Sequence, residues 1–482
     1  MSPRVTLRIL GLLLMLFSLT LVPPILISWL FADGVWEAFA IAMAITAGTG
    51  ALLYWPNRRA HKELRTRDGF LITVLFWSVL GLFGSLPLML ASDPALSWTD
   101  AVFESFSGLT TTGATVLTGI DLLPEGIRYY RQQLQWLGGM GIVVLAVAIL
   151  PTLGIGGMQL YRTEIPGPLK DSKLTPRITE TAKALWYIYA ALTLACFGAY
   201  WLAGMNWFDA LGHSFSTVAI GGFSTYDASI GYFDSPAIEM ICVVFMVISS
   251  ASFGLHFAVW REKRLLHYVQ DSEFRFFITF LALLCLISMV TLLLDPNYTQ
   301  WKALRHGLFE TVSVATTTGF GVADFSLWPG ALPFMLFVAA FVGACSGSAG
   351  GGMKVIRILL IIKQGMREVM RLIHPNAVIA IKVGKVRVTD GVSQAVWGFF
   401  AVYVMLFFLM LIGMLATGLD QVTAWSAVGA ALNNLGPGLG EVANDYGDIP
   451  GLAKWILVVA MVLGRLEIFT VLVLFMPAFW RR

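Results

Sequence analysis

Two short motifs hold the residues best suited to ion chemistry. The sequence Thr-Thr-Thr-Gly occurs at positions 110–113 and again at positions 316–319. Threonine hydroxyls and backbone carbonyls are oxygen ligands that replace the hydration shell of a cation. Glycine adopts backbone dihedrals that other residues avoid, so it lets a loop turn its carbonyls toward one axis. The motifs therefore predict a cation pathway.

Both motifs belong to a longer repeat. The segment from Trp98, WTDAVFESFSGLTTTGAT, aligns without gaps with the segment from Trp207, WFDALGHSFSTVAIGGFS. A third copy, HGLFETVSVATTTGFG, starts at His306, and a weaker fourth, WSAVGAALNNLGPGLG, starts at Trp425. The glycines in register are Gly113, Gly222, Gly319 and Gly436. A period near 100 residues is too long for a solenoid, so the repeat predicts four modules around one axis.

The elements that position these glycines are membrane helices. The chain is 57% hydrophobic and 13% charged, whereas soluble domains carry about 25% charged residues. Apolar runs of about 20 residues, enough to cross the hydrocarbon as a helix, recur along the sequence, for example at 278–294 and 397–416. The composition predicts an all-α polytopic membrane protein.

Each glycine follows a segment that is too short to span. Residues 103–110 lie between two spanning helices, yet they cannot cross the bilayer themselves. Irregular backbone survives at membrane depth only where protein covers it or where it lines water. A re-entrant pore helix followed by an extended loop meets this condition. Four such loops predict a ring of carbonyls, although close helix packing by small residues would give a similar composition.

The basic residues orient the chain. Residues 4–8, 58–67, 162–183, 261–275, 354–387 and 481–482 contain 26 of the 32 lysines and arginines. The positive-inside rule then places these segments and both termini in the cytoplasm. The opposite side is rich in carboxylates, which concentrate cations near a pore mouth. Depletion of bases from outer loops would produce much of the same asymmetry, so the acidic side supports a cation pathway without deciding it.

A glycine-rich stretch marks a gate candidate. The sequence FVGACSGSAGGGMKVIR at 341–357 interrupts a second helix, where each glycine costs about 1 kcal/mol. The candidate gate residues there are Gly343, Gly347, Ser348, Gly350, Gly351 and Gly352. This is the one second helix that the sequence predicts to be broken. A close-packing glycine patch is the alternative. A phosphate loop is excluded because Met353 stands where the lysine belongs, so no nucleotide site is expected on this chain.

Arg465 is the second gate candidate. It lies in the last second helix, where a charge is expensive and faces the protein interior. It would either hinder cations below the filter or serve as a structural arginine bound to a carboxylate or to backbone carbonyls. Glu467 is two residues away, on another helix face, so it is not the expected partner.

Other classes of function receive no support. The cysteines Cys196, Cys242, Cys285 and Cys345 lie in apolar segments without metal spacing and are expected to be buried thiols. No coherent set of catalytic groups appears, so an enzyme is not expected, and nothing points to nucleic acid. A carrier with alternating access remains an alternative, although its inverted repeats and several broken helices are not predicted here.

The four loops TTTGA, AIGGFST, TTTGFG and NNLGPGLG resemble the filters of the Trk/Ktr/HKT superfamily of potassium transport proteins. Two extra helices, at about 7–31 and 35–54, resemble the bacterial TrkH/TrkG branch. The resemblance covers nearly the whole chain. It implies an inner-membrane subunit with four helix–pore-loop–helix modules around a central pore, transporting K+ by passive or coupled entry. It further implies a homodimer and a cytoplasmic TrkA-type nucleotide-binding regulator that gates the pore. The basic stretch 354–387 would either dock such a partner or lie against anionic lipid, and docking is favoured because the helix after the glycine stretch would link a partner to the gate.

The resemblance also assigns residues and boundaries. The filter would comprise Thr111, Thr112, Gly113, Ile220, Gly221, Gly222, Thr317, Thr318, Gly319, Asn434, Leu435 and Gly436. Glycine at all four key positions is the pattern expected for potassium. The boundaries are 1–68 for the extra helices, then 69–160, 161–270, 271–390 and 391–482 for the modules. A symporter that couples potassium to protons or sodium is the alternative function.

Overall fold

A computed structural model describes residues 3–60, 66–148, 178–384 and 386–481. It is mostly helical, and the four modules follow the order first helix, pore helix, filter loop and second helix. This confirms the predicted fold class. The hairpin of β1 (Lys382–Val383) and β2 (Val386–Arg387) is antiparallel and pairs Lys382 with Arg387.

The helices are as follows. The N-terminal unit is α1 (Pro3–Leu19), α2 (Val22–Phe31) and α3 (Trp36–Tyr54). The first module is α4 (Thr66–Gly84), α5 (Leu86–Leu90), α6 (Trp98–Leu109) and α7 (Glu125–Ala148). The second is α8 (Ile178–Leu202), α9 (Trp207–Ala219), α10 (Pro236–Ser250), α11 (Phe253–Glu262) and α12 (Leu266–Gln270). The third is α13 (Ser272–Leu293), α14 (Gln300–Ala315), α15 (Leu332–Val342) and α16 (Val355–Ile373). The fourth is α17 (Asp390–Ala416), α18 (Gln421–Asn433), α19 (Gly451–Arg465), α20 (Phe469–Leu472) and α21 (Pro477–Trp480). Short 3-10 turns lie at Trp55–Asn57, Ile120–Leu122, Ser229–Phe233, Phe325–Leu327, Gly440–Val442 and Val473–Phe475.

Length and hydropathy agree with a membrane protein. Within the described ranges, six helices are long and apolar enough to cross a bilayer, and two bent pairs raise the number to eight. The first span, Pro3–Phe31, is α1 and α2 read together.

The N-terminal unit packs on the first module, where the Asp33 carboxylate accepts a hydrogen bond from the Gly126 N–H at 2.7 Å. The two extra helices are therefore attached to α7.

The pore helices α6, α9, α14 and α18 share their start and their end. Each begins with a polar N-cap whose side chain accepts a backbone N–H: Ser97, Asn206, Thr299 and Asp420. Such caps satisfy N–H groups that the first helical turn leaves free. Each pore helix ends directly at its filter loop, and the carbonyl end of a helix carries partial negative charge. Four negative helix ends therefore point to the region where a cation would sit.

Three second helices are interrupted, so the expectation of a single broken one is wrong. Besides the glycine stretch after α15, the chain bends by 91° between α10 and α11 and by 106° between α19 and the segment Phe469–Phe475. These two breaks lack a glycine cluster. Tertiary contacts hold them instead, since the N–H of Phe253 binds the carbonyl of Gly347 at 3.0 Å. In the fourth module, Glu467 and Ile468 adopt positive φ values of 55° and 39°.

Candidate ion filter and gate

All four filter loops share one backbone hydrogen-bond pattern. The residue before each key glycine donates its N–H to the carbonyl six residues before that glycine, at 2.8–2.9 Å. These pairs are Thr112 to Ser107, Gly221 to Ser216, Thr318 to Ser313 and Leu435 to Ala430. The residue two before the glycine has positive φ in every module: Thr111, Ile220, Thr317 and Asn434. The weak fourth repeat is therefore a structural equivalent of the other three at this point.

The four glycines form a closed ring. A Cβ added to Gly113 would collide with the carbonyl of Gly221, and one added to Gly222 with the carbonyl of Thr318. The ring continues from Gly319, whose Cβ would lie 3.2 Å from the N atom of Gly436. It closes because a Cβ on Gly436 would lie 2.6 Å from the carbonyl oxygen of Gly113. The modules thus follow one another around one axis in chain order, as the repeat predicts.

The fourth loop departs from the others at its glycine. Gly113, Gly222 and Gly319 have φ values of 83°, 80° and 85°, in the left-handed region that favours glycine. Gly436 is not in that region. Its carbonyl accepts a hydrogen bond from the Tyr446 hydroxyl at 3.0 Å. The ring therefore has three similar members and one distinct member.

The threonine hydroxyls form ladders inside the loops. Thr110 and Thr112 are joined through their hydroxyls at 2.7 Å, and so are Thr316 and Thr318. The Asn434 side chain crosses between modules and donates to the Thr112 hydroxyl at 3.1 Å. Every one of these side chains is buried. The polar groups of these loops are therefore covered and bound by protein, as polar groups at membrane depth must be.

An open cavity of about 610 Å³ lies against the ring. Its lining includes all four key glycines. The carboxylates of Asp227, Asp324 and Asp445 border it together with Glu310 and one arginine, Arg131. Carboxylates outnumber bases around this vestibule, which favours the approach of cations.

The vestibule wall contains a buried ion pair of the first module, and its arginine also reaches the second module. Arg131 on α7 contacts Glu104 on α6 at 2.7 Å, and the two side chains are 1% and 0% exposed. Arg131 also donates to the carbonyl of Ser224 in the second filter loop, at 3.1 Å. Glu104 accepts the Val116 N–H at 3.0 Å, just beyond the first filter. The pair therefore fixes the outer ends of two neighbouring filter loops.

Two glutamines on α7 contact the second filter loop and were not among the residues predicted from sequence. Gln135 donates to the carbonyl of Gly221 at 2.7 Å and accepts the N–H of Phe223 at 3.1 Å. Gln132 donates to the carbonyl of Phe223 at 3.2 Å. Both glutamines are fully buried. The available signal was a cluster of glutamines and arginines in a segment that must cross the membrane, since buried polar side chains need partners.

The glycine-rich stretch lies directly below the filter. Its Gly351 N–H donates to the Thr317 hydroxyl at 2.7 Å, and the Gly352 N–H donates to the carbonyl of Asn433 at 3.0 Å. A Cβ on Gly351 would collide with that same carbonyl, so the approach requires glycine. Ser348 is 1% exposed and its hydroxyl donates to the carbonyl of Cys345 at 2.6 Å. The structure therefore brings the predicted gate stretch and the predicted filter into contact.

The other predicted glycines shape this loop. Gly343, Gly347 and Gly352 have φ values of 69°, 72° and 77°. Gly350 lies so close to Ala344 that an added Cβ would be 2.5 Å from the Ala344 Cβ. The chain thus folds back between α15 and α16 as a compact loop rather than as a bent helix.

Arg465 joins this loop to the first module. It is 2% exposed and donates to the carbonyl of Ala349 at 2.9 Å and to the carbonyl of Gly138 at 3.1 Å. Glu467 pairs with Arg357 on α16 at 2.6 Å, so it is not the partner of Arg465, in agreement with the sequence-based expectation. The carbonyl-bound form of Arg465 is therefore the one observed, with its charge at the base of the pathway.

A small cavity of about 60 Å³ lies between these groups. Its lining contains the glycine stretch, Asn434 from the filter, and the cations Lys354, Arg357 and Arg465. The amine of Lys354 donates to the carbonyl of Gly350. Three cations and one carboxylate, Glu467, therefore lie on the far side of the ring, opposite the acidic vestibule.

Ion pairs at the outer ends of the helices connect further modules. Lys454 on α19 contacts Asp100 on the first pore helix at 2.6 Å. Arg305 on the third pore helix contacts Asp234 and Glu239 of the second module, each at 2.6 Å. The hydrogen bond from Arg305 lowers the pKa of the Asp234 carboxyl below its ordinary value. These links hold neighbouring pore helices at fixed positions.

The remaining reactive side chains form no site among the described residues. The four cysteines are free and buried, as expected. In the described part of the chain, no cluster of three or more histidine, cysteine, aspartate or glutamate side chains is arranged to hold a metal ion.

Comparison with known proteins now identifies the family. A family model described as TrkH, cation transport protein, matches residues 36–482. The Trk system potassium uptake protein TrkH of Halomonas elongata is 77% identical over 482 residues, covering 100% of both chains. That of Escherichia coli K12 is 53% identical over 479 residues, covering 99% of both. The crystal structure of the potassium transporter TrkH from Vibrio parahaemolyticus matches with a TM-score of 0.93 and 54% identity, covering 100% of both chains.

These relatives are named for transport, in agreement with the expectation that the chain is not an enzyme. The match extends over the filter loops and the gate stretch alike, and the resemblance stated from the loop sequences is confirmed. The chain belongs to the TrkH family of cation transport proteins.

Proposed function

We propose that this chain is the ion-conducting membrane subunit of a potassium uptake system. The observation that carries the proposal is the closed ring of Gly113, Gly222, Gly319 and Gly436 at the ends of four capped pore helices. In each loop, the ring glycine and the two residues before it would supply oxygen ligands in place of water. The relatives named above are potassium uptake proteins, which supports K+ as the transported ion.

The loop between α15 and α16 would act as the gate. It contacts the filter through Gly351 and Thr317 and is held from the side by Arg465. In this position it fills the space below the ring. The fixed charge of Arg465 would add repulsion against cations at the same depth. Flux then requires that the loop move away from the filter.

A cytoplasmic nucleotide-binding regulator of the TrkA type would move the loop. The helix α16 continues directly from the gate stretch, and its last turns expose Met366, Leu372 and Ile373. Basic side chains lie among these apolar ones, including Arg371. A partner bound there would pull on α16 and hence on the gate. The proposal includes a homodimer in the bacterial inner membrane with both termini cytoplasmic.

A symporter with alternating access is the second candidate, coupling potassium to protons or sodium. The breaks in three second helices favour it more than the sequence did, because transporters of that kind use broken helices. However, the breaks after α10, α15 and α19 all lie on the inner side of one ring, and the repeats run in the same direction. A channel-like pathway through the ring accounts for them without rocking domains.

Uptake of rubidium into liposomes that hold the purified protein tests the main proposal. An imposed ion gradient should drive accumulation, and K+ should compete strongly while Na+ and Li+ compete weakly. Uptake that depends on a proton or sodium gradient would support the symporter. Uptake that all three ions block equally would contradict the assigned filter.

Three variants test the gate in the same assay. Deletion of residues 347–351 should raise flux without a partner, and Arg465→Ala should do so as well. Arg465→Lys retains the charge but reaches one carbonyl at most, so it separates repulsion from tethering. If repulsion dominates, Arg465→Lys stays closed. A loss of flux with normal folding in the deletion variant would identify the stretch as packing rather than gate.

A further inference from the structure

The second filter loop lacks the threonines that line the first and the third. Its residues Ile220, Gly221 and Gly222 offer no side-chain hydroxyl, so no hydroxyl ladder like that of Thr110 and Thr112 exists there. The loop must nevertheless hold the shared filter backbone. Another group must therefore hold the backbone of this loop in place.

Gln135 supplies this group. Its side-chain amide donates to the Gly221 carbonyl at 2.7 Å and accepts the Phe223 N–H at 3.1 Å. These two backbone groups flank Gly222, so one planar amide holds the strand on both sides of the ring glycine, as a neighbouring strand does in a sheet. The side chain is 0% exposed. Rotation of the Gly221 peptide would therefore break a buried hydrogen bond.

The packing explains why the loop has two consecutive glycines. A Cβ on Gly221 would collide with the side-chain amide of Gln135. Gly221 thus leaves the space that the amide occupies, and the two positions depend on each other. At the same separation of 22 residues from the ring glycine, the other second helices carry Val244, Phe341 and Val458, which cannot make this contact. The arrangement belongs to one module.

We propose that Gln135 is a specificity-determining positioning residue that sets the width of the filter through Gly221 and Phe223. The inference rests on the proposed potassium filter. A filter discriminates between K+ and Na+ only while its oxygens resist moving inward around the smaller ion. With the amide removed, the second loop loses the two hydrogen bonds that flank Gly222 and keeps only those beyond it, at the Phe223 and Ser224 carbonyls. The ring then adapts to Na+.

The test compares Gln135→Met with Gln133→Met in the full-length protein in liposomes. Gln133 lies on the same helix, is also buried and donates to the carbonyl of Thr20 at 2.6 Å, away from the filter. Both substitutions remove one buried amide and keep a similar length. The quantity compared is the Na+ concentration that halves rubidium uptake divided by the K+ concentration that halves it. We expect this ratio to fall about tenfold in Gln135→Met, in line with the loss of one buried hydrogen-bond partner. It should stay unchanged in Gln133→Met.

The ion preference can also be measured from the rise in melting temperature that K+ and Na+ cause, and this measurement does not require an open gate. Ligands that bind the native state raise its melting temperature by mass action, so the K+ and Na+ concentrations of equal stabilisation report selectivity. If both variants lose stability but keep the wild-type ratio, Gln135 is merely structural and the inference fails. If the wild-type protein itself does not distinguish K+ from Na+ in either measurement, the proposed function fails instead.

A compensation experiment addresses the contact itself. Gly221→Ala should impair selectivity strongly in the wild-type background, because the added methyl group meets the amide of Gln135. The same change should have a smaller effect in a Gln135→Ala background, where the space is free. Equal effects in the two backgrounds would overturn the claim that these residues act together.

Discussion

The two Thr-Thr-Thr-Gly loops have the same sequence and almost the same backbone. Their ring glycines, Gly113 and Gly319, have φ values of 83° and 85°. Their hydroxyl ladders both measure 2.7 Å. Judged from the loops alone, the first and third modules are interchangeable.

The surroundings of the two loops differ behind the filter. Glu104 and Glu310 occupy the same position, nine residues before the ring glycine. Glu104 is bound by Arg131. Glu310 accepts the backbone N–H groups of Val322 and Ala323 at 2.6 and 2.9 Å. Both glutamates therefore accept a peptide N–H from twelve residues further on, but an arginine completes the first anchor and a second peptide N–H completes the third.

The surroundings also differ below the filter. The Thr317 hydroxyl accepts the N–H of Gly351 from the gate stretch. The Thr111 hydroxyl is buried and has no hydrogen-bond partner in the part of the chain that the structure describes. Identical tetrapeptides thus have the same conformation, while only the third loop contacts the glycine-rich stretch that we propose as the gate.

The largest effect on ion preference is expected from breaking what the two loops share. Gly113→Ser and Gly319→Ser place a side chain in the left-handed region, at a cost of about 1–2 kcal/mol. Gly113→Ser should be worse, because its Cβ collides with the Gly221 carbonyl, whereas that of Gly319 lies 2.8 Å from the Cδ of Pro437. We expect discrimination against Na+ in rubidium uptake to fall by more than about tenfold.

Gly119→Ser is the matched control for this pair. Gly119 also has positive φ, at 67°, but nothing lies within 4 Å of an added Cβ. The Gly119→Ser variant should therefore show the backbone strain without a change in ion preference. An unchanged ion ratio in Gly113→Ser would remove Gly113 from the filter.

The different anchors behind the loops are expected to affect the stability of the fold rather than its ion preference. Arg131→Met leaves Glu104 buried without its cation, which costs about 3–5 kcal/mol of stability. Glu310→Gln retains an oxygen acceptor for the two N–H groups, so its cost should be about 1 kcal/mol or less. The free energy of unfolding from denaturant titration in mixed micelles measures both.

The double variant Arg131→Met, Glu104→Gln is the control for this comparison. It removes the unpaired charge and should recover part of the loss. If Glu310→Gln proves as destabilising as Arg131→Met, the two carboxylates are held in the same way and the contrast between the loops disappears.

Much of this architecture was predictable from local patterns. The capped half-length helices and the ring glycines follow from residues that act within their own segment. Ser97 and Asn206, for example, cap their helices by bonds to residues three positions away. The glycine stretch likewise signals its own break, because glycine in a helix interior is costly.

The rest depends on contacts that one segment cannot reveal. The bend after α19 contains Glu467 and Ile468 with positive φ, a backbone conformation that is unfavourable for both residue types. It is held by the ion pair with Arg357, 110 positions earlier. Gln135 has the same character, since its partners lie 86 and 88 positions away. Such positions are recognised only when the fold brings the partners together.

The smallest effect is expected from the difference below the filter, and it tests whether the third loop belongs to the gate. Thr317→Val removes the hydroxyl that accepts the Gly351 N–H, whereas Thr111→Val removes the equivalent hydroxyl without touching the gate stretch. Both changes take one hydroxyl from the inner end of the filter, so any effect on ion preference should be shared. A hydrogen bond of about 0.5–1.5 kcal/mol corresponds to a two- to tenfold change in the open population. Rubidium uptake without a partner should therefore rise by about that factor in Thr317→Val alone. An equal rise in both variants would mean that filter occupancy, rather than this hydrogen bond, controls the gate.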